Sequence, residues 1–289
     1  MIELKNEKIA IPVVLFAGLL WSFGPLVVRH MDEPGLVPWQ YIFARGLTIY
    51  IVLNLYLFFE EGKNFYKNYF RVGISGLIGG CGLGIAMITF IYSITNTSAA
   101  ITLLCLAAMP FFTALLGFLF LKEKISINVW IAIGIATIGI IIIALGNTEK
   151  ASLVGLIFGM TSSIGFSVFS VTLRWRKETP KFTTVAIAGL FCVIISAIFI
   201  IFNGSSFLST SYNGSLFSLH GTIVCMGLIL YSIGSKAIPA AELTLLSLTE
   251  VIGGIFWVWL PLFGVNETPS TNTIIGGFFL FMSIIYYSL

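Results

Sequence analysis

Residues 130–145 read WIAIGIATIGIIIIAL, with no charge and a single hydroxyl at Thr137. A membrane β-strand would alternate in polarity over about 10 residues, and this stretch does not. A helix on the surface of a soluble protein would keep a polar face, and none is present. In hydrocarbon the backbone has no water to bond, so such a segment must satisfy its own N–H and C=O groups as a helix. The stretch therefore reads as a membrane-spanning helix.

The same pattern recurs in both directions along the chain. Taking about 20 apolar residues per crossing, ten spans are expected, at 10–29, 38–58, 72–94, 98–121, 127–145, 152–173, 182–202, 216–235, 239–263 and 271–288. Turn residues and nearly all the charge fall between them. The 289 residues are 58% hydrophobic and only 9% charged, against roughly 25% charged in soluble domains, which excludes a soluble enzyme. A net charge of +3 gives no reason to expect a nucleic-acid partner. The first apolar stretch lacks a small-residue cleavage site and reads as a span rather than a leader.

Lysine and arginine set the orientation. With the N-terminus inside, the inner segments carry Lys5, Lys8, Lys63, Lys67, Arg71, Lys122, Lys124, Arg174, Arg176, Lys177, Lys181 and Lys236. The outer segments carry Arg29 and Lys150, and Arg45 lies inside a span. An odd miscount of helices would scramble that split, so both termini are expected inside. The four cysteines, Cys81, Cys105, Cys192 and Cys225, all fall in expected helices and form no metal-ligand spacing. No metal site or cofactor is expected.

Gly18, Ser22, Gly24 and Val27 match Gly159, Ser163, Gly165 and Val168 at an offset of 141 residues. Ala99, Ala100 and Leu104 match Ala240, Ala241 and Leu245 at the same offset. Glu123 and Ser126 match Glu267 and Ser270 at an offset of 144. Two units, 1–146 and 147–289, of five helices each are expected. Five is odd, so the second would be inverted, the construction that gives many carriers two related end states. The fold class is then an all-α integral membrane protein of two inverted five-helix repeats.

Several residues carry a resemblance. They are Leu20-Trp21-Ser22 in the first helix, Arg29 at its outer end and Arg45 in the second. Ser98-Ala99-Ala100, Pro110 and Glu123 follow around the fourth, and Pro239-Ala240-Ala241 and Glu250 in the ninth. In these the chain resembles the ten-helix EamA-type branch of the drug/metabolite transporter superfamily. The family often has a Glu-Pro pair where this chain has Glu250-Val251, which leaves no proline to break the helix there. The resemblance implies transport, with substrates ranging over amino acids, other metabolites, choline-like cations and toxic compounds.

An ionisable group within a span is costly and faces the bundle interior. Arg45 and Glu250 are expected at similar depth. They read either as a structural pair pinning the second helix to the ninth, or as a ligand site in which Arg45 takes a carboxylate and Glu250 an ammonium or a proton. Trp21, Ser22, Tyr92, Tyr231 and Trp257 are candidate cavity walls, where an aromatic face could hold a cation. Pro25 and Pro110 each remove a helix hydrogen bond and read as hinges or as static kinks. Glu242 reads as a first-turn carboxylate and Glu123 as an inner-edge anchor. His30 and His220 are expected at outer helix ends, and the six glycines of residues 73–84 as a close-packing face. Gly80-Cys81-Gly82-Leu83-Gly84 has no strand before it, so it is no dinucleotide loop.

The expected activity is secondary or facilitated transport of a small metabolite, an amino acid or related zwitterion, by alternating access and in the export direction. The alternatives are transport of choline-like or other organic cations, and a non-transporting membrane enzyme or scaffold. The expected partners are the small-molecule substrate and the lipid bilayer of a plasma (inner) membrane, with either a proton or ion gradient or the substrate's own gradient as the energy source.

Overall fold

The computed structural model describes residues 6–146, 152–176 and 178–288, and every regular element in them is helical. Lys5, Lys150 and Lys177, counted in the charge split, and the expected boundary between the two units after residue 146 lie outside these residues. The helices are α1 (Glu7–Trp21), α2 (Gly24–Arg29), α3 (Pro38–Glu61), α4 (Lys67–Arg71), α5 (Gly73–Asn96), α6 (Ala99–Leu106) and α7 (Met109–Leu116). They continue with α8 (Ile127–Gly146), α9 (Leu153–Trp175), α10 (Lys181–Phe202), α11 (Ser211–Gly234), α12 (Ala240–Leu246), α13 (Thr249–Trp259) and α14 (Thr271–Ser288). Eight segments are long and apolar enough to cross a membrane, three of them made of two helices in line, α1–α2, α6–α7 and α12–α13. Two shorter apolar helices cover Ile127–Ile143 and Thr271–Tyr287.

The bundle is apolar outside and finely polar within. Phe59, Phe118, Phe120 and Phe202 stand exposed, whereas Ser22, Thr102, Thr113, Ser163, Ser167 and Thr244 are buried. Lipid removes any penalty for the first group. Most of the second find hydrogen-bond partners, as where Ser167 Oγ donates to Ser163 O at 2.8 Å and Thr244 Oγ1 to Ala241 O at 2.9 Å, whereas the Thr113 hydroxyl finds none among the described residues. Close approach of backbones supplies the packing between helices. A Cβ added to Gly165 of α9 would lie 2.6 Å from the Gly82 carbonyl oxygen of α5, and one added to Gly46 of α3 would lie 2.9 Å from that of Gly189 in α10. Gly79, Gly80, Gly82 and Gly84 of the expected glycine face are all buried.

The main packing pairs are α5 with α9 and α10, α11 with α1 and α3, α3 with α10, α8 with α14, α9 with α6 and α7, and α7 with α12. The Tyr287 hydroxyl donates to Glu7 at 3.3 Å and also bonds Glu242, and the Glu123 carboxylate accepts from Ala240 N at 3.4 Å. Residues near both ends of the chain therefore share one face, the Glu7 face. Arg29 ends the α1–α2 segment of 23 residues, about 35 Å away at 1.5 Å per residue, on the opposite face.

Three findings differ from the sequence expectations. First, α12 and α13 are separated at Ser247–Leu248 although no proline is present. The chain tightens there into i→i−3 bonds, Leu248 N to Leu245 O at 3.2 Å and Glu250 N to Ser247 O at 2.9 Å, while the Ser247 and Thr249 hydroxyls bond back to carbonyls of the preceding turn. Second, Pro25 and Pro110 sit in the first turns of α2 and α7, just after a break, where a missing N–H costs little. Third, α11 begins at Ser211 rather than 216, because Thr210 caps it by accepting from Asn213 N. His220 is consequently well inside the helix and buried, not at its end.

Candidate functional site

The breaks turn two helix starts toward the middle of the bundle. Glu250 lies in the first turn of α13, and Met109 begins α7. Both line a cavity of about 60 Å³ walled by α3, α5, α9 and α11 as well. Its polar lining is Arg45, Glu250, His220 and Ser162, and its apolar lining includes Trp21, Phe90, Phe166, Met87 and Met109. The free space would hold a few water molecules.

Arg45 is 5% exposed, and its Nε and Nη1 have no hydrogen-bond partner among the described residues. Its guanidinium lies 5.9 Å from the centre of the Phe90 ring. Arg45 and Glu250 form no ion pair within 4.0 Å among the described residues, although they share the cavity. Structures pair buried charges because leaving an N–H unsatisfied is expensive. Arg45 is thus a buried arginine with two unbonded N–H groups that lines the same cavity as Glu250.

His220 is the polar neighbour that the sequence reading did not include. Its Nδ1 is hydrogen-bonded to the buried Tyr41 hydroxyl, which fixes the ring from behind. Gly24 makes room for it: a Cβ there would lie 2.9 Å from His220 Nε2. Phe90, Phe166, Met87, Met109 and Ser162 were equally absent from the reading.

Of the expected site residues, Trp21, Arg45 and Glu250 meet at the cavity. The Trp21 indole donates to Val224 O at 3.2 Å and packs 5.4 Å from Tyr231 and 5.5 Å from Phe166. Tyr231 stands behind Trp21, bonded to Ser170 at 2.7 Å, and does not line the cavity. Ser22 accepts from the Trp257 indole at 2.8 Å, and Trp257 stacks on Phe23 at 4.6 Å; neither Ser22 nor Trp257 is in the lining. Tyr92 belongs to a separate aromatic group with Trp39 and Phe158. Pro25 packs against α13, since a Cβ on Gly254 would lie 3.2 Å from it. Among the described residues no three His, Cys, Asp or Glu side chains converge as metal ligands.

Apolar helices with lipid-facing aromatics, small polar residues inside and charged side chains around a central cavity define a multi-pass membrane protein. The EamA-like transporter family matches residues 8–145, the first half of the chain. Over 263 residues it is 27% identical to a protein described as an uncharacterized transporter from Helicobacter pylori strain J99, covering 86% of this chain and 84% of that protein. A second protein of that description, from Helicobacter pylori strain 26695, is 26% identical over the same share of each chain. One solved crystal structure matches with a TM-score of 0.71 at 17% identity, over 96% of this chain and 95% of that one; at that identity the likeness concerns the fold alone. These likenesses support a membrane transporter.

Proposed function

We propose that the protein is a secondary carrier of small zwitterionic metabolites of the amino-acid class, working by alternating access between two inverted repeats, residues 1–146 and 147–289. The observation that carries the substrate class is Arg45, a buried arginine with unbonded N–H groups that lines the same cavity as Glu250. A carboxylate on Arg45 and an ammonium near Glu250 would satisfy both at once. The mixed apolar wall of Trp21, Phe90, Phe166 and Met109 suits a side chain between them. A choline-like cation is the weaker reading, because Arg45 already occupies the Phe90 face that would have to attract it.

The packing supports the repeat. Exchange each span for the one five places later, so that α1–α2 becomes α9, α3 becomes α10, α5 becomes α11, α6–α7 becomes α12–α13 and α8 becomes α14. The pair α5–α9 then becomes α11–α1, α5–α10 becomes α11–α3, α7–α12 becomes α13–α6, α7–α9 becomes α13–α1 and α6–α9 becomes α12–α1, while α3–α10 and α8–α14 map onto themselves. The starts of α6 and α12 also fall at the matched offset of 141. Counting the two shorter helices α8 and α14 as spans gives ten. The split of lysine and arginine between the two sides fits a plasma membrane, the carrier acts as an exporter or facilitator, and an ion gradient or the substrate's own would supply the energy.

The test is ligand-dependent thermal stability of the purified protein, since a ligand that binds only the folded state must raise it. Stabilisation by amino acids and not by choline supports the reading. Stabilisation by choline alone, or by an amino-acid amide as well as by the acid, contradicts it.

A further inference from the structure

Two ion pairs sit at opposite faces of the bundle. On the Arg29 face, Arg29 Nε lies 2.6 Å from Glu267 Oε1; on the Glu7 face, Arg174 Nε lies 2.6 Å from Glu123 Oε1. The arginines end the α1–α2 segment and α9, the counterpart first spans, at an offset of 145 residues. The glutamates follow α7 and α13 at an offset of 144. Each pair thus repeats the other on the reverse side.

Their surroundings differ. Arg174 Nη1 also donates to Ser235 O at 3.1 Å and Ile238 O at 2.8 Å, which fastens the connector between α11 and α12. The counterpart connector, between α5 and α6, spans residues 97–98. Arg29 makes no bond to it among the described residues. Instead Arg29, Asn96, Thr97 and Glu267 line a polar vestibule of about 710 Å³. The ion pair is formed on both faces, so it is not what distinguishes them. The arginine-to-connector bonds are.

We infer that Arg29 and Arg174 are counterpart clamps that close the two faces in turn, each by bonding the backbone of the connector beside it while its glutamate keeps it aimed. This rests on the two-repeat carrier reading. In the structure the Arg174 clamp is engaged and the Arg29 clamp is not. In the opposite state Arg174 releases Ser235 and Ile238, and Arg29 bonds the backbone carbonyls of Thr97 and Ser98, the connector that follows α5.

The experiment needs no substrate. A cavity reporter, Ser162→Cys, is placed in full-length protein whose four native cysteines are changed to alanine, reconstituted in vesicles. A membrane-impermeant maleimide is then applied from either side. Arg174→Gln should raise the ratio of labelling from the Glu7 face to labelling from the Arg29 face by about 3- to 10-fold, and Arg29→Gln should lower it by a similar factor. Arg174→Lys retains the ion pair but not the planar fork and should move the ratio in the same direction as Gln. Shifts in the same direction for Arg29→Gln and Arg174→Gln, no shift in either, or full restoration by Lys would overturn the inference. Should Arg174→Gln fail to fold, Arg174→Lys gives the same reading. A failed repeat reading would show separately, as residues near the two chain ends labelling from opposite sides in the unsubstituted protein.

Discussion

Replacing Arg45 by methionine separates a ligand residue from a structural pin. If Arg45 and Glu250 were a buried pair holding α3 to α13, removing one partner would cost roughly 3–5 kcal/mol. At about 2–4 °C per kcal/mol for a chain of this size, the unliganded protein would melt on the order of 10 °C lower. The structure argues otherwise, because no ion pair within 4.0 Å joins them and Arg45 Nε and Nη1 bond nothing among the described residues. Methionine fills much of the same volume beside Phe90 and abolishes the unmet N–H groups, each of which costs about 1–3 kcal/mol. Arg45→Met should therefore melt within about 4 °C of the parent in the absence of ligand. Binding should suffer far more: two charge-assisted hydrogen bonds to a carboxylate, at about 1.5 kcal/mol or more each, amount to roughly 100-fold in affinity. Arg45→Lys should recover part of it, since the charge remains but not the fork. The assay is thermal unfolding in detergent beside equilibrium binding of labelled amino acids. A large fall in melting temperature with unchanged affinity would refute the ligand role.

Further outcomes follow from the same geometry. Glu250→Gln should weaken binding of zwitterions by about tenfold while leaving or improving that of their deaminated acids; equal weakening of both in competition binding would remove Glu250 from ammonium recognition. Gly165→Val should lower thermal stability by about 1–3 kcal/mol, because even its Cβ would lie 2.6 Å from the Gly82 carbonyl oxygen; an unchanged melting curve would contradict the close α5–α9 contact. Ser22→Ala should cost about 1 kcal/mol and shift Trp257 emission to shorter wavelength, since the indole N–H loses its acceptor; an unaltered spectrum would speak against that bond. Of the four native cysteines, Cys81 should label fastest with maleimide in intact vesicles, because Cys105, Cys192 and Cys225 are buried.

Much of the fold could be read from the sequence because hydrocarbon permits so few structures. A run such as residues 130–145 has no alternative to a helix, and the separations between runs give the connections. The ends of helices were harder to read. The polar start of α11, Ser211-Tyr212-Asn213-Gly214-Ser215, resembles a loop by hydropathy, yet Thr210 caps it and carries the helix on. That misplacement concealed His220. A Thr three residues before an Asn is a visible capping signal, although a weak one. The break between α12 and α13 had no proline to announce it, only Ser247 and Thr249, whose hydroxyls compete for backbone carbonyls.

The charged members of the site were legible and its apolar members were not. Arg45 and Glu250 stand out because a charge in a span must have a reason. Phe90 and Phe166 are two among 26 phenylalanines, and hydropathy does not say which face of a helix turns toward a cavity. Tyr92 and Tyr231 occupy corresponding places in sequence, yet Tyr231 backs the Trp21 wall and Tyr92 joins Trp39. A small rotation of a helix separates those fates, and it is set by neighbours that a single chain's sequence does not identify.

Counterflow in reconstituted vesicles is the most direct trial of a zwitterion carrier. Vesicles loaded with unlabelled amino acid should draw in a trace of the labelled compound transiently and saturably, with no such uptake into empty vesicles and none of choline under the same exchange. Uptake of choline by exchange, or identical slow entry with and without an internal pool, would contradict the account.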